Sequence, residues 1–157
     1  MARFEKNKAA IELRNSLVES GRAPTLQEQE TLAGYTGWGS FGQELFQGDW
    51  DHPKPKTGWE ARDRWLRDNL GRKDWEGMRD SIINAHYTDP PTVLAMWDMV
   101  RRMGFLGGRT LEPSLGIGNF YGMMPIDLAA RSQRAGIELD PVTGSMAQML
   151  YPQSNIQ

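Results

Sequence analysis

The feature that most constrains this chain is a pair of short segments, RTLEPSLGIGNF at residues 109–120 and RAGIELDP at 134–141. Each begins as a strand candidate, reaches an acidic residue and then leads into a turn or a helix. Helix, strand, glycine turn, helix, strand and helix in this order is typical of a parallel α/β sheet. We therefore predict an α/β fold with strands at 109–112 and 134–139. Residues 154–157 are predicted to begin a third strand.

The first half of the chain has a different pattern. Apolar residues recur at helical spacing between Phe4 and Ser20, and Thr25 with Glu28 has the spacing of a capping box before a second helix. Thr57 with Glu60 repeats that spacing. We predict a helical N-terminal region over 1–83, with a Gly- and Pro-rich loop at 34–56, and a partial Rossmann-like domain of two or three parallel strands over 84–157.

The glycine turn and the acid that follows it indicate a nucleoside site. Gly116 and Gly118 would let the backbone approach a ligand where a Cβ atom would collide. Glu138 follows Gly118 by 20 residues, the spacing expected of a carboxylate that accepts both ribose hydroxyls. The alternative is that the glycines serve helix–strand packing and that the acids cap the next helix. For Asp140 we favour capping over ligand contact.

A third segment, NAHYTDPP at residues 84–91, precedes the helix that contains Val93. Thr88 would lie at the N-terminus of this helix, where N–H groups and the helix dipole favour an anion such as a carboxylate. The alternative is simple capping, with Asp89 as the cap and Pro90 or Pro91 at the first helical position.

The ordered trio HYTDPP, LEPSLGIGNF and GIELDP resembles the methyltransferases that modify adenine N6 in DNA, above all the large methyltransferase–helicase proteins of phages, plasmids and integrative elements. The resemblance extends to RFEKNKAAIELRN, GYTGWG and LYPQSNIQ and thus covers nearly the whole chain. It implies S-adenosylmethionine as the cofactor. The cofactor-binding residues implied by it are Tyr87 and Thr88 at the methionine end, Glu112, Pro113, Gly116, Gly118 and Phe120 in the glycine-turn motif, and Glu138 at the ribose.

The sequence departs from that family at the catalytic motif, Asn/Asp-Pro-Pro followed by an aromatic residue. Asp89-Pro90-Pro91 is followed by Thr92 and lies before the cofactor strand, so it does not match. The chain ends before the later strands and any target-recognition domain. Methyl transfer requires the nucleophile and the methyl group in near-attack geometry. We therefore expect no catalytic residues and no catalysis by this chain alone.

Composition excludes several classes of protein. There is no cysteine, so disulfides and thiolate sites are absent, and His52 and His86 are too few for an all-histidine metal site. No apolar run reaches the roughly 20 residues that span a bilayer, and the N-terminus lacks a signal-peptide core, which indicates the cytoplasm. A net charge of −2 predicts at best weak binding to DNA.

A sheet of two or three strands leaves unpaired N–H and C=O groups and a partly uncovered apolar surface along its last strand. We therefore predict a protein partner, or self-association, through the exposed sheet edge. Two functions follow from the resemblance and the edge together. The first is a truncated, methyltransferase-like cofactor-binding protein of a mobile element. The alternative is a non-enzymatic inhibitor of a host defence system, anti-restriction or anti-CRISPR, that reuses the methyltransferase scaffold.

Overall fold

The structure is a computed structural model, which describes residues 2–47, 54–82 and 87–157. Both histidines, part of the loop at 34–56 and residues 84–86 of the NAHYTDPP segment lie outside the described residues.

The first half of the chain is helical, as predicted. Gly21, with a φ of 65°, ends the first helix, and Thr25 and Glu28 form the predicted capping box of the second. The elements are α1 (Ala2–Ser20), α2 (Leu26–Ala33), a single 3-10 turn (Gly39–Phe41), α3 (Gly42–Leu45), α4 (Glu60–Asn69) and α5 (Arg72–Ser81).

The second capping box is wrong. Helix α4 begins at Glu60 with Trp59 at the N-cap, so Thr57 lies two residues too early to cap it. The Glu60 carboxylate instead accepts the backbone N–H of Gly58 at 2.8 Å. A tight turn at 57–58 therefore occupies the place of the predicted cap.

The second half is a mixed α/β arrangement with a three-stranded parallel sheet of order β1-β2-β3. Residues Gly108–Glu112 of β1 pair with Ser132–Gly136 of β2, and Ala135–Gly136 pair with Asn155–Ile156 of β3. The elements are α6 (Pro90–Arg102), β1 (Gly108–Glu112), α7 (Asn119–Gly122), α8 (Ile126–Ala129), β2 (Ser132–Gly136), α9 (Pro141–Leu150) and β3 (Asn155–Ile156).

Strand β2 ends earlier than predicted, and Glu138 lies two residues beyond it. The backbone nonetheless stays close to its neighbours, because Ile137 donates to the Glu112 carbonyl at 2.9 Å and Glu138 donates to that of Gln157 at 2.9 Å. The carboxylate that the sequence predicted at the strand end is therefore held just past it, over the end of the sheet.

Helix α9 joins the two halves. Val142 and Met146 on one side of it belong to the core formed with α1, α2, α4 and α5, where Leu17, Leu32 and Met78 are buried. Ala147 on another side packs with Leu115, Tyr121 and Ile156 against the sheet. The helical region predicted over 1–83 and the α/β region thus share a core.

Candidate functional site

A crevice of about 480 Å³ opens beyond the carboxyl ends of β1 and β2. Its volume falls in the range of small-molecule sites, and the carboxyl end of parallel strands is where α/β proteins bind ligands. Seven of the eight residues predicted to bind a cofactor line it together: Tyr87, Thr88, Glu112, Pro113, Gly116, Phe120 and Glu138.

Glu138 is fixed by backbone donors on both oxygens. Its Oε2 accepts the N–H of Gly116 at 2.7 Å, and its Oε1 accepts the N–H of Asp140 at 2.9 Å. The carboxylate thus ties the glycine turn to the start of α9. Each carboxylate oxygen retains a second lone pair, and the residue is half-buried, so it remains able to accept a ligand hydroxyl.

Asp140 caps α9, as predicted. It is buried, its Oδ1 accepts the N–H of Val142 at 3.0 Å, and its Oδ2 accepts the hydroxyl of Thr143 at 2.6 Å. Burial raises the pKa of the Asp140 carboxyl above its ordinary value, against the effect of these hydrogen bonds. Asp140 and Thr143 both line the crevice, but their polar atoms serve the helix cap.

The two glycines of the turn have different surroundings. Gly116, with a φ of 57°, lines the crevice, and a methyl group there would lie 3.0 Å from the ring of Tyr87. Gly118, with a φ of 87°, is not among the residues that line the crevice, and a methyl group there would overlap the ring of Tyr151. The structure therefore places Gly118 at a packing position, the alternative left open by the sequence.

Thr88 lies one residue before the helix cap. Asp89 is the N-cap of α6 and accepts the N–H of Thr92 at 3.3 Å, with Pro90 and Pro91 opening the helix. The carbonyl of Thr88 accepts the side-chain amide of Asn119 at 3.4 Å. This contact joins the segment before α6 to the start of α7, directly after the glycine turn, and both residues line the crevice.

Among the residues that the structure describes, the charged ones that line the crevice are acidic: Asp80, Glu112, Glu138 and Asp140. Burial raises the pKa of the Glu112 carboxyl, and burial also raises the pKa of the Tyr87 hydroxyl. A phosphate group would meet these carboxylates, and the described part of the lining includes no lysine or arginine to offset them. The crevice is therefore suited to a neutral or cationic ligand rich in hydrogen-bond donors.

Among the lining residues that sequence reasoning did not assign to the site, Gly37 and Asp80 lie farthest from its motifs in sequence. Gly37 lies in the GYTGWG segment and Asp80 lies on α5, so both come from the helical half of the chain. The sequence signal was the GYTGWG segment itself, whose glycines were assigned only to a loop.

A second groove, of about 260 Å³ and mainly apolar, includes residues of β1 in its lining. We call it the edge groove. It is lined by Trp97, Val100, Thr110, Leu111, Glu112, Tyr121 and two phenylalanines, Phe105 and Phe120. Leu111 is 63% exposed, although it lies within a strand. Among the described residues β1 pairs only with β2, so its other edge presents unpaired backbone groups.

Within residues 2–47, 54–82 and 87–157, no group of three or more acidic or histidine side chains is arranged to hold a metal ion. None of the helices in the same ranges is long and apolar enough to cross a membrane.

Comparison with known proteins shows a similarity to a phage protein. The chain is 27% identical over 155 residues to Defense against restriction protein B of Escherichia phage P1. The match covers 99% of this chain and 5% of that protein, so the chain spans only a small part of the relative's length. No protein-family model matches the chain, and no solved structure does.

This comparison contradicts the resemblance to adenine-N6 DNA methyltransferases. The similarity that runs through almost the whole chain is to a protein named for defence against restriction. The three motifs that suggested a methyltransferase are a helix start, a glycine turn and an acid after a strand. Such features recur in many parallel sheets, wherever a ligand or a helix packs closely against the carboxyl ends of the strands. They therefore do not define one enzyme family.

Proposed function

We propose that this chain is a protein-binding module that counteracts a host restriction system. The observation that carries the proposal is the similarity, over 99% of the chain, to Defense against restriction protein B. It acts, on this proposal, by contact with another protein in the cytoplasm. The acidic net charge of −2 leaves at best a weak role for DNA.

The free edge of β1 and the edge groove are the proposed contact surface. An extended segment of a partner protein would add beside β1 through main-chain hydrogen bonds. One of its apolar side chains would enter the edge groove next to Leu111, where Trp97 and Phe105 provide aromatic walls. Covering a leucine that is 63% exposed gives such pairing a hydrophobic contribution in addition to the backbone bonds.

The anti-restriction function is tested by transforming a restricting host with unmodified plasmid DNA. Cells that express the chain should yield more transformants than cells with an empty vector, whereas a non-restricting host should give equal numbers. Equal numbers in the restricting host would refute the proposed function.

The contact surface is tested by Leu111→Lys, with Leu26→Lys as the matched control. Leu26 is 81% exposed at the start of α2, so a charge there costs little and leaves the sheet edge intact. Leu111→Lys should abolish the protection while Leu26→Lys keeps it. Loss of protection in both variants, or in neither, would remove the edge of β1 from the proposal.

The crevice supports a second candidate function, the binding of an adenosine-type ligand such as S-adenosylmethionine. The arrangement is Rossmann-like on this proposal, with Glu138 at the ribose, the Gly116 turn beneath the nucleoside and Tyr87, Thr88 and Glu112 toward the amino-acid end. The described lining fits this ligand, because Glu138 keeps free lone pairs that can accept the ribose hydroxyls. The charged residues described in the lining are carboxylates, which suit a ligand with a net positive charge. Pro113 and Phe120 supply apolar walls. S-adenosylmethionine carries a transferable methyl group, but we propose only that it is bound.

Calorimetric titration with S-adenosylmethionine and with adenosine tests this second function. The wild-type chain should bind both, and Glu138→Ala should weaken both by about tenfold or more, because a hydrogen bond to a charged group is lost. Glu12→Ala is the control, since Glu12 is exposed on α1 and forms an ion pair with Lys8 at the surface. Absence of binding by the wild-type chain would leave the crevice without this function and would not affect the anti-restriction test.

A further inference from the structure

The ring of Tyr87 lies between two glycines from different halves of the chain. A methyl group at Gly37 would lie 2.5 Å from Cε2 of Tyr87, and one at Gly116 would lie 3.0 Å from Cε1. Both glycines have positive φ, 66° and 57°. The ring therefore occupies a slot between two glycines, where a methyl group would overlap the ring at Gly37 and would make a tight contact with it at Gly116.

One side of this slot is held by a buried asparagine on α1. Asn7 has no exposed surface, and its Nδ2 donates to the carbonyl of Gly37 at 2.6 Å. Its Oδ1 accepts the N–H of Thr36 at 2.8 Å and the hydroxyl of Thr36 at 3.1 Å. A buried amide that uses both its donor and its acceptor on consecutive residues fixes the path of the backbone there.

We infer that Asn7 and Gly37 are positioning residues for the crevice: they set the place of the Tyr87 ring and thereby one wall of the ligand site. The inference rests on the second proposed function, adenosine-type binding. It assigns to the helical half of the chain a direct part in a site that the sequence placed wholly in residues 84–157. Tyr87 and Gly37 both line the crevice, which joins the slot to the site.

Gly37→Ala tests the slot, and the chain offers a matched control in Gly21→Ala. Gly21 has a φ of 65°, nearly that of Gly37, but a methyl group there has no atom within 4 Å. The two variants therefore share the strain of alanine at positive φ, and only Gly37→Ala meets the Tyr87 ring. Any difference between the two variants in the Tyr87 resonance or in ligand affinity is therefore due to the contact with the Tyr87 ring.

The first measurement is ¹⁹F NMR of protein labelled with 3-fluorotyrosine. The resonance of Tyr87, assigned by its loss in Tyr87→Phe, should shift in Gly37→Ala and stay in place in Gly21→Ala. Tyr121 and Tyr151, which lie in the sheet region, serve as internal references for the rest of the fold. An unshifted Tyr87 resonance in a folded Gly37→Ala variant would overturn the slot, whether or not any ligand binds.

The second measurement is the affinity for adenosine and S-adenosylmethionine. Gly37→Ala should bind about tenfold more weakly than Gly21→Ala, because the displaced ring intrudes on the crevice. A shifted resonance with unchanged affinity would overturn the positioning role. Binding of neither probe by the wild-type chain would instead refute the adenosine proposal, and the slot would then be judged on the resonance alone.

Asn7→Asp provides a second variant if Gly37→Ala does not fold. It keeps an oxygen for the N–H of Thr36 and replaces the donor to the Gly37 carbonyl by an acceptor. The Tyr87 resonance should shift and the affinity for adenosine should fall, with the resonances of Tyr121 and Tyr151 unchanged. If Asn7→Asp keeps both the Tyr87 resonance position and the adenosine affinity of the wild-type chain, the role assigned to Asn7 is wrong.

Discussion

Glu138 accepts the backbone N–H of Gly116 at 2.7 Å across 22 residues of sequence. The same carboxylate accepts the N–H of Asp140, so a single side chain joins the turn after β1 to the helix after β2. The acid expected to serve a ligand thus also holds together the two segments that form the crevice.

Replacement of Glu138 should therefore lower stability as well as affinity. Glu138→Ala leaves two backbone N–H groups without their acceptor, and we expect a loss of about 2 kcal/mol in the free energy of unfolding. Glu138→Gln keeps one amide oxygen as acceptor and should lose about half as much. Urea denaturation measures both. Equal stability of Glu138→Ala and the wild-type chain would show that the two bonds in the structure contribute nothing.

The stability contribution of Asp140 should depend on pH. Burial raises the pKa of its carboxyl in the folded chain, so the folded state holds the proton more tightly than the unfolded state. The stability gained from this group is present below the unfolded pKa and is lost as the pH rises through the folded pKa.

Asp140→Asn keeps an acceptor for Val142 and removes the titration. The difference in unfolding free energy between the wild-type chain and Asp140→Asn should favour the wild type most at about pH 4 and should shrink toward about pH 7. Urea denaturation at intervals across that range provides the test. A difference that stays constant, or that grows with pH, would contradict the raised pKa.

Gly118 should tolerate alanine far less well than Gly58. Both have a φ of 87°, but a methyl group at Gly58 has no neighbour within 4 Å, whereas one at Gly118 would overlap the ring of Tyr151. Gly58→Ala should cost about 1 kcal/mol from backbone strain. Gly118→Ala should cost about 1–3 kcal/mol more from overpacking.

The comparison is made by thermal or urea unfolding of the two variants. Tyr151→Leu in the Gly118→Ala background should recover part of the loss, because the smaller side chain makes room for the methyl group. If the two glycine variants are equally stable, the contact with Tyr151 is not what requires glycine at 118.

The edge of β1 should also govern self-association. If a second copy rather than another protein pairs with this edge, sedimentation velocity will show a dimer whose fraction rises with concentration. Leu111→Lys should then give only monomer, while Leu26→Lys should match the wild-type chain. Monomer at all concentrations for the wild type would leave another protein as the occupant of the edge.

Local signals predicted much of this fold. The capping box at Thr25, the caps at Asp89 and Asp140, the stop at Gly21 and the α/β order after residue 84 follow from interactions within a few residues of sequence. The same local logic failed at Thr57, because a cap requires a particular start of the helix as well as a spacing, and the turn at 57–58 moved that start to Glu60.

The candidate site was predicted in part for the same reason. Strand ends, glycines and acids are visible in one βα unit, so Glu112, Gly116 and Glu138 could be assigned to one place. Gly37 and Asp80 could not, since their proximity to Tyr87 and Glu138 depends on how α1 and α5 pack against α9. The family assignment failed because short motifs report local geometry, which unrelated proteins share.

Helix α9 packs on one side against the helices of the first half of the chain and on another side against the sheet of the second half. A piece comprising residues 87–157 alone would expose Val142 and Met146 to water, and residues 2–82 alone would lack the α9 surface against which α1, α2 and α5 pack. Expressed separately, the two pieces would be complementary fragments, each poorly folded and soluble only together. Their reassociation would provide a split reporter for this protein.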